Sequence, residues 1–338
     1  MPPAGAVGRQ ARPAAALLVP APPYWLAVTA VTAAALIWSS SFAITKLALR
    51  DTGPLTIGAL RFAGATVLLA VAVRLRVHGA ATRPDRRQRL LICSAGLLGI
   101  TAYFAVENIG VDLASASDAA LIVASYPLIT LVLELVLRQA AFSAVQLLGM
   151  LLAAGGVWLV VDGGATASSA AGGAAGGSGG DRLLGSLVLL AGGVVWAAYN
   201  LLARLGGTGA SPVLVTYYQT AAGAAGFALL SLTEVHSWSV PSRATGLGVA
   251  YLAVFCSGVA FALYNYGLTA LSSAAAVNLL NVVPAAGLLW AVLLAGEQLV
   301  LVQVLGGAVV VLGVSLSTVR TGSRRRREAA APSQQLAS

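Results

Sequence analysis

The stretch 26–46 reads LAVTAVTAAALIWSSSFAITK, an apolar run that ends at a lysine. A helix of about 20 apolar residues can cross the ~30 Å hydrocarbon core of a bilayer. The alternating segments of about ten residues that are typical of membrane β-barrels do not occur. The sequence therefore predicts an all-α polytopic membrane protein with ten transmembrane helices. The ten predicted helices are 26–46, 56–75, 90–110, 114–137, 144–162, 183–204, 212–233, 245–270, 273–294 and 301–319.

Composition agrees with a membrane protein. The 338 residues are 58% hydrophobic and 9% charged, whereas soluble domains carry roughly 25% charged residues. This excludes soluble globular, disordered and nucleic-acid-binding classes. Cys93 and Cys256 lie inside apolar runs with no Cys/His cluster. The pattern favours neither a disulfide framework nor a zinc site, and it predicts no cofactor.

Positive charges predict the orientation. If every run crosses the membrane, 15 of the 20 Lys and Arg residues fall on the side of the N-terminus. Cytoplasmic loops are rich in Lys and Arg, so both termini are predicted to be cytoplasmic in a multi-pass plasma-membrane protein. A Pro/Ala-rich segment, 1–25, is predicted to be a disordered N-terminal tail and 320–338 a basic tail. The Gly/Ala/Ser-rich stretch 163–182 is predicted to be an external linker.

The chain contains an internal repeat. Corresponding residues recur at an offset of 158 and then of 157. The pairs are Trp38 with Trp196, Pro54 with Pro212, Arg61 with Gln219, Asn108 with Asn265, Gly110 with Gly267, Ser115 with Ser272, Pro127 with Pro284, Gln146 with Gln303 and Gly149 with Gly306. Two units, 26–162 and 183–319, would hold five helices each. Because five is odd, the second unit is predicted to be inverted in the membrane, as in alternating-access carriers.

The motifs resemble those of a known family. They are Ile37–Phe42, Lys46, Gly53-Pro54, Leu60-Arg61-Phe62, the paired Pro127 and Pro284, and Gly296-Glu297. Together they resemble the EamA-like family of the drug/metabolite transporter superfamily. The resemblance implies ten helices in two units and secondary transport of small metabolites without ATP. The sequence departs from the pattern at Ala140, where the second unit has Glu297, and at Glu107 and Asp118, which are usually apolar or small in the family.

Three charged residues inside predicted helices are candidates for solute binding. Arg61 would lie about 9 Å and Glu107 and Asp118 about 5–6 Å from the outer ends of their helices, at 1.5 Å per residue. Charges in the membrane are costly and point to function. We expect one cluster in which Glu107 and Asp118 share a coupling proton. The alternative is that the two carboxylates reach the interface and that Arg61 pairs structurally with one of them.

Uncharged residues complete the predicted translocation site. They are Trp38 and Ser41 in the first run, Trp196, Tyr199 and Asn200 in the sixth, and Asn281 in the ninth. Pro127 and Pro284 are expected to kink their helices and free backbone carbonyls. Whether those carbonyls face the solute stays open.

These features predict a secondary transporter of amino-acid-like or other small organic solutes, working by alternating access with export as the favoured direction. The predicted partners are a small-molecule solute and the lipid bilayer, with a proton as the candidate coupling ion. No nucleic acid is expected, and a homodimer is left open. The chain has no HExxH motif and no cluster of histidines, so it is not predicted to be an enzyme. The alternative is a non-transporting receptor or a lipid-flipping protein.

Overall fold

The computed structural model describes residues 23–76, 84–136, 144–170, 179–205, 212–268, 270–271, 276 and 279–317. These residues form helices and connections, with no strand among them. The α-helices are α1 Tyr24–Ala48, α2 Pro54–Arg76, α3 Arg86–Gly96, α4 Tyr103–Leu113, α5 Ala116–Val123, α6 Tyr126–Val136, α7 Ala144–Ala170, α8 Gly179–Leu205, α9 Pro212–Ser231, α10 Arg243–Tyr251, α11 Ala260–Leu268, α12 Val282–Leu293 and α13 Leu301–Ser317. The prediction of an all-helical fold is confirmed.

Several helices are long and apolar enough to cross a membrane. Eight qualify within the described residues, and two shorter apolar helices, Val282–Leu293 and Leu301–Leu316, accompany them. The eight are Tyr24–Ala48, Pro54–Leu75, Arg86–Leu113, Ala116–Leu133, Ala144–Gly163, Gly180–Leu202, Val213–Ser237 and Arg243–Tyr264. The protein is therefore a multi-pass membrane protein.

Four of the predicted helices are interrupted, one of them, 273–294, by a turn at Asn281. π-Helical stretches lie at Leu97–Ala102, between α3 and α4, and at Leu252–Val259, between α10 and α11. They occupy corresponding positions in the two sequence units, where insertions of this kind are frequently found at functional sites. A turn at 124–125 separates α5 from α6.

The predicted linker 163–182 is only partly a linker. α7 extends to Ala170 and α8 begins at Gly179. As a consequence Arg182, predicted to lie in the linker, belongs to the first turn of α8.

Polar contacts between elements gather at one end of the bundle, where Ala48, Leu113, Gly179 and Arg243 lie. We call this the linker end. Lys46 Nζ donates three hydrogen bonds of 2.7–2.8 Å at the C-terminus of α4. The acceptors are the carbonyl oxygens of Val111, Asp112 and Ala114. A cation at a helix C-terminus satisfies carbonyls that have no partner within the helix.

α7 and α13 pack through glycine. Gly156 faces α13 so closely that a Cβ on it would lie 2.7 Å from Gly306 O and 2.7 Å from Val310 N. Its neighbour Gly155 is exposed and would meet nothing within 4 Å. Small residues at helix contacts let backbones approach in membrane proteins.

This difference gives a matched test of the packing. We expect Gly156→Ala to destabilise the protein by about 1–3 kcal/mol, because the methyl group must push two backbones apart. Gly155→Ala should be neutral or stabilising by about 0.5–1 kcal/mol, since alanine only restricts the unfolded chain there. Thermal unfolding of the detergent-solubilised variants measures both. Equal melting temperatures for the two variants would contradict the close packing.

Candidate functional site

Arg61 is held where α2 meets the second unit. It projects from α2 with 4% of its surface exposed, and its Nε–H donates a 3.1 Å hydrogen bond to Ser257 Oγ in the second π-helical stretch. The guanidinium carbon lies 5.0 Å from the ring centroid of Phe62 and 4.7 Å from that of Phe104. Aromatic faces stabilise a guanidinium that has left bulk water. Arg61 therefore does not pair with Glu107 or Asp118 as the structural alternative expected.

Glu107 is buried and hydrogen-bonded within its own helix. Tyr103, one turn earlier in α4, donates its hydroxyl to Glu107 Oε2. Only 6% of the surface of either residue is exposed, so Glu107 does not reach the interface as the alternative also proposed. The ring of Tyr103, the donor to Glu107, lies 4.7 Å from that of Phe104, over which the Arg61 guanidinium is placed.

Arg61 and Glu107 both keep polar atoms that bond to no described residue. Arg61 uses only Nε, so both Nη atoms are left over, and Glu107 uses Oε2, so Oε1 is left over. Among described side chains that are not exposed, the one fully buried N or O atom without a hydrogen bond is Asn108 Oδ1. The Nη and Oε1 atoms are therefore not sealed in by protein. Arg61 and Glu107 keep 4% and 6% of their surface exposed.

Asp118 belongs to a different cluster, which corrects the prediction of one shared site. Arg182 Nε donates to Asp118 Oδ2 at 2.6 Å and Arg182 Nη2 to Oδ1 at 3.1 Å. Gln303 Nε2 donates to Oδ1 at 2.8 Å. Asp118 is fully buried among these partners, so it neither shares a proton with Glu107 nor reaches the interface. Because Arg182 lies in the first turn of α8 and not in a linker, its side chain reaches Asp118.

Aromatic side chains form a wall beside Glu107. The ring of Tyr103 lies 5.0 Å from Trp196, and Trp196 lies 5.3 Å from Tyr199. The hydroxyl of Tyr199 donates to Gln219 Oε1 at 3.5 Å. Gln219 corresponds to Arg61 in the repeat. Two predicted residues of α8, Trp196 and Tyr199, are thus brought next to Tyr103.

Trp38 and Ser41 lie on α1 near the second unit. Trp38 Nε1 donates to the carbonyl oxygen of Cys256 at 2.9 Å, and its ring lies 5.1 Å from Phe261. Ser41 donates within its own helix to Trp38 O at 2.7 Å. Trp38 therefore contacts the same π-helical stretch that carries the partner of Arg61, Ser257.

The remaining predicted residues are Asn200, Asn281, Pro127 and Pro284. Asn200 is half-buried on α8. Asn281 lies in a turn before α12 rather than inside a continuous helix. Pro127 and Pro284 fall in the first turns of α6 and α12, where a missing N–H costs little. The two prolines therefore mark helix starts and do not kink continuous helices, because proline is tolerated at the beginning of a helix and not within it.

Two surface grooves lie away from this site. One, of about 430 Å³, runs between α1 and α10 and is lined by residues that include Leu47, Arg50 and Tyr251. The other, of about 300 Å³, lies at the start of α3. Neither is lined by Arg61 or Glu107, so the candidate site is not part of either groove.

Sequence reasoning missed three contributors: Tyr103, Ser257 and Gln303. Tyr103 had a usable signal, since residues four apart share a helix face. Ser257 lacked one because its contact with Arg61 spans 196 positions. Within the part of the chain that the structure covers, no three His, Cys, Asp or Glu residues are grouped so as to hold a metal ion.

Comparisons with known proteins agree on the class. The family model for the EamA-like transporter family matches residues 25–162 and again residues 183–319. A probable terminal-alkyne amino-acid exporter of Streptantibioticus cattleyicolor is 29% identical over 312 residues, covering 90% of this chain and 97% of that protein. An uncharacterized transporter of Bacillus subtilis is 24% identical, covering 81% and 88%. An uncharacterized inner membrane transporter of Escherichia coli K12 is 26% identical, covering 84% and 88%. One crystal structure superposes with a TM-score of 0.58 at 20% identity, over 86% of this chain and 95% of that one.

Proposed function

The chain belongs to the EamA-like transporter family, and from this premise we propose that it is a secondary carrier of amino-acid-like solutes. It works by alternating access between two inverted five-helix units, giving ten membrane-spanning helices. The double match of the family model and the recurrence of residues at offsets of 157–158 support the duplication. The excess of Lys and Arg on one side supports cytoplasmic termini.

The observation that carries the proposal is the pair of buried opposite charges. Arg61 and Glu107 offer Nη donors and an Oε1 acceptor that bond to no described residue. Arginine binds carboxylates through paired N–H groups, while Glu107 suits an ammonium group. The wall formed by Tyr103, Trp196 and Tyr199 suits an apolar substituent. A small zwitterion with an apolar side chain matches all three.

Export is the direction we propose. The relative from Streptantibioticus cattleyicolor is named as a probable exporter of an amino acid and covers 90% of this chain. Its solute class agrees with the charge pair described above. The residues proposed to line the pathway are Trp38, Ser41, Arg61, Glu107, Trp196, Tyr199, Asn200 and Asn281, and Asp118 is proposed to support them structurally.

Counterflow in proteoliposomes tests the proposal. Vesicles containing the purified protein are loaded with a mixture of unlabelled amino acids, and uptake of labelled amino acids, propargylglycine included, is followed. We expect accumulation of at least one amino acid above that of protein-free vesicles. Uptake equal to protein-free vesicles for the whole panel would contradict the solute class. A comparison of metabolites in the medium of overexpressing and control cells would then identify another solute.

Glu107 is our candidate for proton coupling. If it carries the proton, a pH gradient across the vesicle should change the flux rate severalfold, and Glu107→Gln should remove that dependence. Asp112→Asn is the matched control, since Asp112 is an exposed carboxylate on the same helix, and its response to the gradient should be unchanged. Equal rates with and without a gradient in the unmodified protein would dismiss Glu107 as a coupling group.

A further inference from the structure

Glu234 of the second unit caps a helix of the first. It lies in the 3₁₀ segment Leu232–Ser237, which follows α9. Its Oε1 accepts from Leu55 N at 3.0 Å, and its Oε2 accepts from Thr56 N at 2.8 Å and from Thr56 Oγ1 at 2.6 Å. A Cβ on Gly53 would overlap this carboxylate. The glycine before α2 thus leaves room for Glu234 to bind the helix N-terminus.

Glu297 makes the same kind of contact at a second helix. Its Oε1 accepts from Ala116 N at 2.7 Å and its Oε2 from Ser117 N at 3.0 Å, at the start of α5. Backbone N–H groups at a helix start have no partner within the helix. A carboxylate there both satisfies them and interacts favourably with the helix dipole. Each glutamate therefore makes charge-assisted bonds between the two units at the linker end.

Both caps run in the same direction, from the second unit to the first. Both carboxylates come from the second unit and both helix N-termini from the first. In the repeat, the position equivalent to Glu297 is Ala140, and the positions equivalent to Glu234 are Arg76 at offset 158 and Val77 at offset 157. At these equivalent positions the first unit has no carboxylate with which to make the same bonds. The sequence duplication does not extend to these caps.

A third contact at the linker end runs in the other direction. Asp51 of the first unit accepts from Thr245 Oγ1 at 2.5 Å and from Ser242 N at 3.1 Å, at the start of α10. The hydrogen bonds from Thr245 and Ser242 lower the pKa of Asp51 below its usual value. Asp51 is exposed, so this contact is expected to be weaker than those of Glu234 and Glu297, which are half-buried.

We propose that Glu234 and Glu297 form a latch that holds the linker end shut and makes that closed state the resting state of the carrier. This rests on the proposed alternating access. Because the first unit lacks equivalent carboxylates, closing the opposite end gains no matching bonds, and the equilibrium between the two states is biased. Opening the linker end requires both carboxylates to leave their helix N-termini. Glu234 and Glu297 are thus positioning residues that touch no solute.

Accessibility of a cysteine reporter tests the latch in the full-length protein. Ser41→Cys is introduced after Cys93 and Cys256 are replaced by alanine, and a membrane-impermeant maleimide is applied from each side of the vesicle. The native Val240 is 94% exposed at the linker end. Labelling of Val240→Cys therefore identifies the side of the vesicle that this end faces. The measured quantity is the ratio of labelling rates of Ser41→Cys from the two sides, without solute.

Neutralising both glutamates should shift the ratio. The double variant Glu234→Gln with Glu297→Gln is expected to raise labelling from the linker side, relative to the other side, by about tenfold. Each single variant is expected to raise it by about threefold, which is the effect expected for removing a charge from a helix N-terminus. Asp112→Asn, a carboxylate at the same end with an exposed side chain, should leave the ratio unchanged. A merely structural role would lower the melting temperature and not move the ratio.

An unchanged ratio in the folded double variant overturns the proposal. Should that variant fail to fold, Thr56→Val removes one contact to Glu234 and is expected to shift the ratio about twofold in the same direction. No shift there also rejects the latch. A shifted ratio in a protein that moves no solute would support the latch and reject the carrier. Normal flux with an unmoved ratio would reject the latch alone.

Discussion

Replacing Arg61 with glutamine is expected to lower solute flux about 30-fold at a fixed solute concentration. A hydrogen bond to a charged group contributes about 1.5–3 kcal/mol, and each 1.4 kcal/mol is a factor of ten. The loss is large because the Arg61 side chain is 4% exposed and its Nη atoms are the cationic donors proposed for the carboxylate of the solute. Initial rates of counterflow, normalised to folded protein in the vesicles, measure it.

Two controls separate binding from folding. Arg61→Lys keeps the charge but loses the planar donors and the stacking on Phe104, so we expect an intermediate rate and a raised half-saturation concentration. Arg50→Gln removes an exposed arginine at the linker end and should leave flux unchanged. Full flux by a folded Arg61→Gln variant would remove Arg61 from the mechanism.

The helical fold could be predicted from local features. Apolar runs long enough to cross a membrane predict the helices, because the length and hydropathy of a run depend only on neighbouring residues. Their interruptions could not be predicted in the same way. The π-helical stretch Leu97–Ala102 reads LLGITA, as apolar as an ordinary membrane helix, and Pro127 predicts a disturbance without saying whether the helix bends or restarts. The structure has a restart, with Leu128 N bonding to Ser125 O.

Buried charged residues could be selected from the sequence, but their partners could not. Arg61, Glu107 and Asp118 could be found because charges within apolar runs are costly. Depth along a helix put all three at one level, but depth does not say which way a side chain points or which helices are neighbours. The partner of Asp118 is Arg182, 64 positions away, and that of Arg61 is Ser257. Such contacts depend on tertiary packing, which no local pattern contains.

Breaking the ion pair between Asp118 and Arg182 is expected to destabilise the protein by about 3–5 kcal/mol, the range found when one partner of a buried pair is removed. Asp118→Ala leaves the Arg182 guanidinium, 12% exposed, without its carboxylate. It also removes the acceptor of Gln303 Nε2, which is itself fully buried. The pair joins α5 to α8, and Gln303 adds α13, so three helices lose a shared contact. Thermal unfolding of the solubilised variant measures the change.

A double variant tests whether the lost stability comes from the unpaired charge. Asp118→Leu with Arg182→Met replaces the ions by apolar side chains and should recover the part of the lost stability that comes from the charge left behind, while Gln303 Nε2 still lacks its acceptor. Asp112→Ala removes an exposed carboxylate nearby and should change stability by less than about 0.5 kcal/mol. If Asp118→Ala were as stable as Asp112→Ala, the buried pair would not hold these helices together. If instead stability recovers in the double variant and flux does too, Asp118 acts by fixing α5 beside α8 and not by carrying a proton.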